Sequence, residues 1–92
     1  VFNRVVVASG RYHQSFTPEV RGIETFAGSA GTSHVASYRG VQPFHGKRVL
    51  VAGHSISAVE VASELALKGA AGVILSARRH RFVFQKILAG VP

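Results

Sequence analysis

Ninety-two residues are enough for one small domain or for a piece of a larger one, and no apolar stretch approaches the roughly eighteen residues of a membrane span. With no Cys, the chain holds no disulfide framework, no thiolate metal site and no redox-active cysteine pair. A net charge of +7 asks for an anionic partner, or is an unbalanced sample of a larger protein's surface; apart from Arg78-Arg79-His80-Arg81 the cations form no stripe, so a local anion site is expected and a nucleic-acid face is not.

In chain order, residues 3–9 read as a first strand, a continuous apolar run ending at Ala8-Ser9-Gly10. Residues 11–45 show no sustained periodicity and contain four Gly and two Pro, namely Gly22, Gly28, Gly31, Gly40, Pro18 and Pro43. About thirty-five such residues exceed an ordinary loop, so a connection between two domains is expected, anchored by Tyr12, Phe16, Phe26, Tyr38 and Phe44. Residues 47–53 predict a second strand and residues 55–68 a helix. The helix has polar positions at Ser57, Glu60, Ser63, Glu64 and Lys68 and a small-residue line at Ala58, Ala62 and Ala66. Glu64 and Lys68 are placed for an ion pair across one turn, and Gly69 for the C-terminal stop. Residues 72–77 predict a third strand. The expected fold is α/β: a Rossmann-type βαβ unit of a parallel, doubly wound sheet, preceded by a strand and an irregular linker. A start at Val1 on an apolar run and an apolar stretch at 82–88 just before the end make both termini read as cuts in something longer.

The strand–loop–helix junction carries the chemistry. Gly53-His54-Ser55-Ile56-Ser57-Ala58 places Gly53, Ser55 and Ala58 at the three positions of the G-x-G-x-x-G/A fingerprint. Glycine at the first makes the turn. Alanine at the third still allows the helix close to the strand. Serine at the second costs some closeness to a pyrophosphate but adds a hydroxyl. Such a loop turns backbone N–H groups and the positive end of a helix toward an anion. About twenty residues on, where a carboxylate would hold a free ribose 2′-OH, stand Ser76, Arg78 and Arg79. A guanidinium offers charged donors to a 2′-phosphate, so NADPH is expected over NADH. The five histidines show no metal-ligand spacing, and no metal site is expected.

These pieces together resemble the class B flavoprotein monooxygenases: the flavin-containing monooxygenases and their Baeyer–Villiger relatives. Val5-Val6-Val7-Ala8-Ser9-Gly10 followed by Arg11-Tyr12-His13 resembles the family's A-T-G strand, and Pro18-Glu19-Val20-Arg21-Gly22-Ile23 the run after it. Phe26-Ala27-Gly28, His34 and Tyr38 resemble the signature F-x-G-x-x-x-H-x-x-x-Y/F. Gly53, Ser55 and Ala58 with Arg78 and Arg79 resemble its NADPH site. The likeness covers essentially the whole chain. It departs in three places: the signature is two residues longer between Gly28 and His34, the triplet is Ala8-Ser9-Gly10, and Ser55 replaces a glycine. Tyr38 stands where Baeyer–Villiger enzymes carry Trp, which leans toward heteroatom oxidation.

The resemblance implies an enzyme with two cofactors, FAD and NADP(H), that inserts one oxygen atom from O₂ into a nucleophilic nitrogen or sulfur or into a ketone. It implies that residues 1–10 are the last strand of the FAD-binding domain, 11–45 an inter-domain linker carrying the signature, and 46–92 the first part of the NADPH-binding domain. Ala8, Ser9, Gly10 and His34 would then lie near the cofactors. His34 would couple the domains and would not act as an acid or base. The expected partners are a small-molecule substrate, O₂ and the rest of the parent enzyme, with no nucleic acid; this piece alone would be inactive. A cysteine-free segment agrees with a reducing compartment, and a cytoplasmic location is expected. Two alternatives stand: another two-dinucleotide flavoprotein such as a pyridine nucleotide–disulfide reductase, and a small basic nucleic-acid-binding module.

Overall fold

The computed structural model describes residues 1–79, so His80, Arg81 and the apolar stretch 82–88 lie outside the described residues. The chain divides into two compact units, Val1–Tyr38 and Arg39–Pro92.

The second unit holds all the described sheet and α-helix. Strand β1 spans Arg48–Ala52, helix α1 spans Ile56–Leu67 and strand β2 spans Gly72–Ser76. The strands are parallel and in register from Arg48↔Gly72 to Ala52↔Ser76. A parallel pair cannot be joined by a tight turn, and α1 is the crossover that its geometry requires. The expected strand–helix–strand unit is therefore present, each element lying inside its expected bounds.

Side-chain alternation decides which sheet face carries the helix. Val49, Val51, Val73 and Leu75 are half-buried, whereas Leu50 and Ile74 are 66% and 67% exposed. The helix packs on both strands. Its inner side is set by Ala58 and Leu65, the two buried residues of the core. Leu65 is only 1% exposed, and enclosing a leucine to that degree contributes on the order of 1.5–3 kcal/mol. The alanine line serves the contact at its start: Ala58 is buried and Ala62 half-buried, but Ala66 is exposed. Three and four residues advance less or more than one helical turn, and by the third alanine the line has rotated off the sheet; Leu65 takes its place.

The helix ends as its sequence requires. Glu64 and Lys68 pair at 2.8 Å across one turn. Gly69 has φ +113°, where a side chain would be strained, and Ala70 N–H closes the end on Leu65 C=O at 2.9 Å. Gly69 has a second reason to lack a side chain, because a Cβ there would stand 2.6 Å from Cδ2 of His45. Gly46 N–H donates to Gly69 C=O at 2.7 Å, and Ala71 N–H to Lys47 C=O at 2.9 Å. The turn after α1 is thus bonded to the segment that leads into β1, and β2 starts beside β1.

The first unit corrects one expectation. Residues 3–9 form no strand. Val5, Val6 and Val7 are 80%, 88% and 83% exposed. An apolar run becomes a strand only by hydrogen bonding to another, and among the described residues nothing pairs with it. The long connection is also less irregular than its composition suggests. Short 3-10 turns form at Ile23–Thr25 and Val35–Ser37 in this unit and at Gln42–Phe44 in the second.

Candidate functional site

The parallel pairing brings the ends of β1 and β2 to one edge of the sheet. Gly53 N–H donates to Ser76 C=O at 2.8 Å, so the loop leaving β1 is bonded to the last residue of β2. Gly53, His54, Ser55, Ile56, Ser57 and Ala58 therefore share an edge with Ser76, Arg78 and Arg79, and both arginines are exposed. Ala8, Ser9, Gly10 and His34 belong to the other compact unit.

The loop's geometry explains its residues. Gly53 has φ +132°, a conformation that side chains rarely adopt, and a Cβ on it would lie 3.5 Å from the Cβ of Ala58. Glycine makes the turn possible, and alanine five residues later keeps α1 within contact distance of it. Ser55 is the N-cap of α1: its C=O accepts from Val59 N–H at 3.0 Å, but its side chain makes no capping bond. The first amides of a helix have no partner within it. Here no cap hydroxyl occupies them, and Ser55 and Ser57 are exposed residues. The arrangement offers donors and the positive end of a helix to an anion, with no acidic residue in the first turn to repel it.

One polar atom of the loop is unaccounted for by the surrounding protein. His54 Nδ1 is enclosed and has no hydrogen-bond partner. An enclosed, unpaired nitrogen costs on the order of 1–3 kcal/mol. The positive φ of Gly53, the uncapped helix start, the exposed serines and the exposed arginines together can meet an anionic group. Among the described residues no group of three His, Asp or Glu gathers as a metal centre would need. None of their helices is long and apolar enough to cross a membrane.

The Phe26-Gly28-His34-Tyr38 stretch is a separate piece of local structure within the first unit. A Cβ on Gly28 would overlap the ring of Phe26, so the glycine makes room for the aromatic two residues before it. Gly31 N–H closes a turn on Gly28 C=O at 2.9 Å, with Ser29 and Ala30 at its tip. His34 then caps the Val35–Ser37 turn. Its Nδ1 accepts from Ala36 N–H at 3.1 Å, and its C=O accepts from Ser37 Oγ at 2.7 Å. An Nδ1 that accepts leaves the proton on Nε2, which fixes the tautomer. Nothing in the sequence announces this capping role, because caps are ordinarily Ser, Thr, Asp or Asn. His34→Ala should lower unfolding stability by about 1 kcal/mol, whereas His34→Asn, itself a good cap, should retain most of it. Urea unfolding of the full-length protein distinguishes the two; equal losses would remove the capping role.

Two parallel strands joined by a crossover helix define an α/β unit of Rossmann-like form. The chain belongs to the flavin-binding monooxygenase-like family, whose description matches residues 1–92. It is 34% identical over 85 residues to trimethylamine monooxygenase of Pelagibacter ubique (strain HTCC1002), covering 92% of this chain and 19% of that protein. It is 40% identical over 89 residues to dimethylaniline monooxygenase (N-oxide-forming) 2 of Mus musculus, covering 95% and 16%. Similarity extends to 4-hydroxybenzoate brominase (decarboxylating) of Marinomonas mediterranea, 35% identical over 88 residues, covering 96% and 16%. The chain thus spans less than a fifth of the length of these relatives. No solved structure matches it.

Proposed function

We propose that this chain is part of an FAD- and NADPH-dependent monooxygenase and that its second unit binds NADP(H). The observation that carries the reading is the bond from Gly53 N–H to Ser76 C=O, which holds the glycine loop and the two arginines at one sheet edge. The loop amides and the Ser55 and Ser57 hydroxyls would take the pyrophosphate, and Arg78 and Arg79, with Ser76, the 2′-phosphate. Residues 1–10 would be the last strand of an FAD-binding domain, with Ala8, Ser9 and Gly10 beside the flavin; 11–45 would be the linker and 46–92 the start of the NADPH domain. His34, occupied in capping, would shape that linker and take no part in proton transfer.

When bound, NADPH supplies reducing equivalents and FAD the oxygen chemistry; this chain's residues hold and orient the donor. The substrate would be a small molecule with a nucleophilic nitrogen or sulfur, or a ketone. The names of the trimethylamine and N-oxide-forming dimethylaniline monooxygenases favour nitrogen, and Tyr38 leans toward a heteroatom over a ketone. The reading is tested on the full-length protein. It should be yellow, oxidise NADPH in preference to NADH with uptake of O₂, and return an amine substrate one oxygen atom heavier. A colourless protein, or one indifferent to NADPH, would end it.

A further inference from the structure

The β1–β2 register ends at Ala52↔Ser76, and the bond from Gly53 N–H to Ser76 C=O at 2.8 Å carries the ladder one step past the end of β1. The accepting carbonyl belongs to the peptide unit that joins Ser76 to Ala77. The bond therefore fixes the plane from which the chain leaves toward Arg78 and Arg79, and among the described residues it is the backbone bond nearest to them. An extended chain gains at most about 3.6 Å per residue, so the Cα of Arg78 stays within about 7 Å of that of Ser76 and the Cα of Arg79 within about 11 Å. On the donor side, φ +132° lets Gly53 give its N–H to Ser76 and still turn into the loop. The far end of that loop is held where Ser55 C=O accepts from Val59 N–H at 3.0 Å. A residue with a Cβ rarely takes such a φ, so in its place either the N–H or the loop must shift.

We infer that Gly53 is a specificity-determining residue: by anchoring Ser76 it positions Arg78 and Arg79, and so sets the preference for a 2′-phosphate from the other side of the sheet edge. The inference rests on the nucleotide reading above and adds to it that the turn of the loop and the choice of cofactor are one structural unit. Charged hydrogen bonds from a guanidinium depend on distance and angle, so a displaced Ser76 carbonyl weakens them. A 2′-hydroxyl, which takes no such bonds from the arginines, loses little.

The test titrates the full-length enzyme with NADP⁺ and with NAD⁺. Gly53→Ala should weaken NADP⁺ binding about six- to tenfold and NAD⁺ binding about twofold, so that the preference for NADP⁺ falls about three- to fivefold. In an enzyme that also carries Arg78→Glu and Arg79→Glu, the same alanine should weaken both nucleotides equally, because no 2′-phosphate contact remains to misplace. Equal losses with the arginines present would overturn the inference, and so would the same fall in preference with the arginines reversed. A second variant serves if the alanine impairs folding. Two glycines inserted between Ala77 and Arg78 keep loop, bond and arginines but part the arginines from their anchor. NADP⁺ binding should then weaken about five- to tenfold and NAD⁺ binding less than about twofold. Unchanged NADP⁺ affinity in that variant would overturn the inference as well. If the unaltered enzyme shows no preference for NADP⁺, the nucleotide reading falls and this one with it; a preference that neither alteration changes removes this one alone.

Discussion

Reversing both charges after β2, with Arg78→Glu and Arg79→Glu together, should raise the KM for NADPH about 10- to 100-fold while changing that for NADH less than about threefold. The asymmetry is the content of the prediction. A 2′-phosphate carries charge that a guanidinium meets with paired donors, and a carboxylate in its place repels it. NADH has only a hydroxyl there, to which a glutamate is an acceptable partner. Both arginines are exposed, so salt screens their contribution, and the ratio of the two effects should shrink as ionic strength rises. Steady-state kinetics with each cofactor at low and moderate salt measure it. Equal damage to both cofactors would show that the arginines support the structure or the pyrophosphate and do not read the 2′-position.

Gly53→Val should cost about 2–3 kcal/mol of stability and weaken NADP⁺ binding more than tenfold. Two separate penalties combine. The φ of +132° disfavours any side chain with a Cβ. The space next to it is already at contact distance, since a Cβ would lie 3.5 Å from that of Ala58, and the branches of valine would press on the start of α1. Relief requires the loop to move, which carries its amides away from an anion. Gly53→Ala isolates the first penalty and should be the milder of the two. Thermal unfolding and NADP⁺ titration of the full-length protein separate the effects; a valine variant that unfolds normally yet binds poorly would place the whole effect in the loop.

The βαβ unit was legible because its signals are local. The apolar run before Gly53, the small residues after it, the polar positions from Ser57 to Lys68 and the stop at Gly69 each act within a few residues of themselves. They set β1, α1 and β2 to within a residue or so of the expected ends. The Glu64–Lys68 pair was visible for the same reason. The apolar run at 3–9 forms no strand among the described residues because strand formation depends on a distant partner, and composition does not say whether this piece holds one. His45 lies against Gly69 across a separation that no periodicity links. At the site, the sequence shows which residue types gather after β1 and β2 but not the bond from Gly53 to Ser76 that joins them. It cannot show that His54 is half-buried while Ser55 and Ser57 are exposed. The capping by His34 was hidden because histidine is an uncommon cap.

The turn closed by Gly31 on Gly28 bears on how this lineage can change in length. It lies between two local devices, the aromatic ring over Gly28 and the capping histidine, and neither depends on the number of residues at its tip. Insertion or deletion there leaves both intact, so a signature defined by a fixed count of intervening positions is narrower than the structure it describes. The stretch between Gly28 and His34 has room for two additional residues without altering either device. Searches that allow a variable gap at that point will recover sequences that a rigid pattern discards.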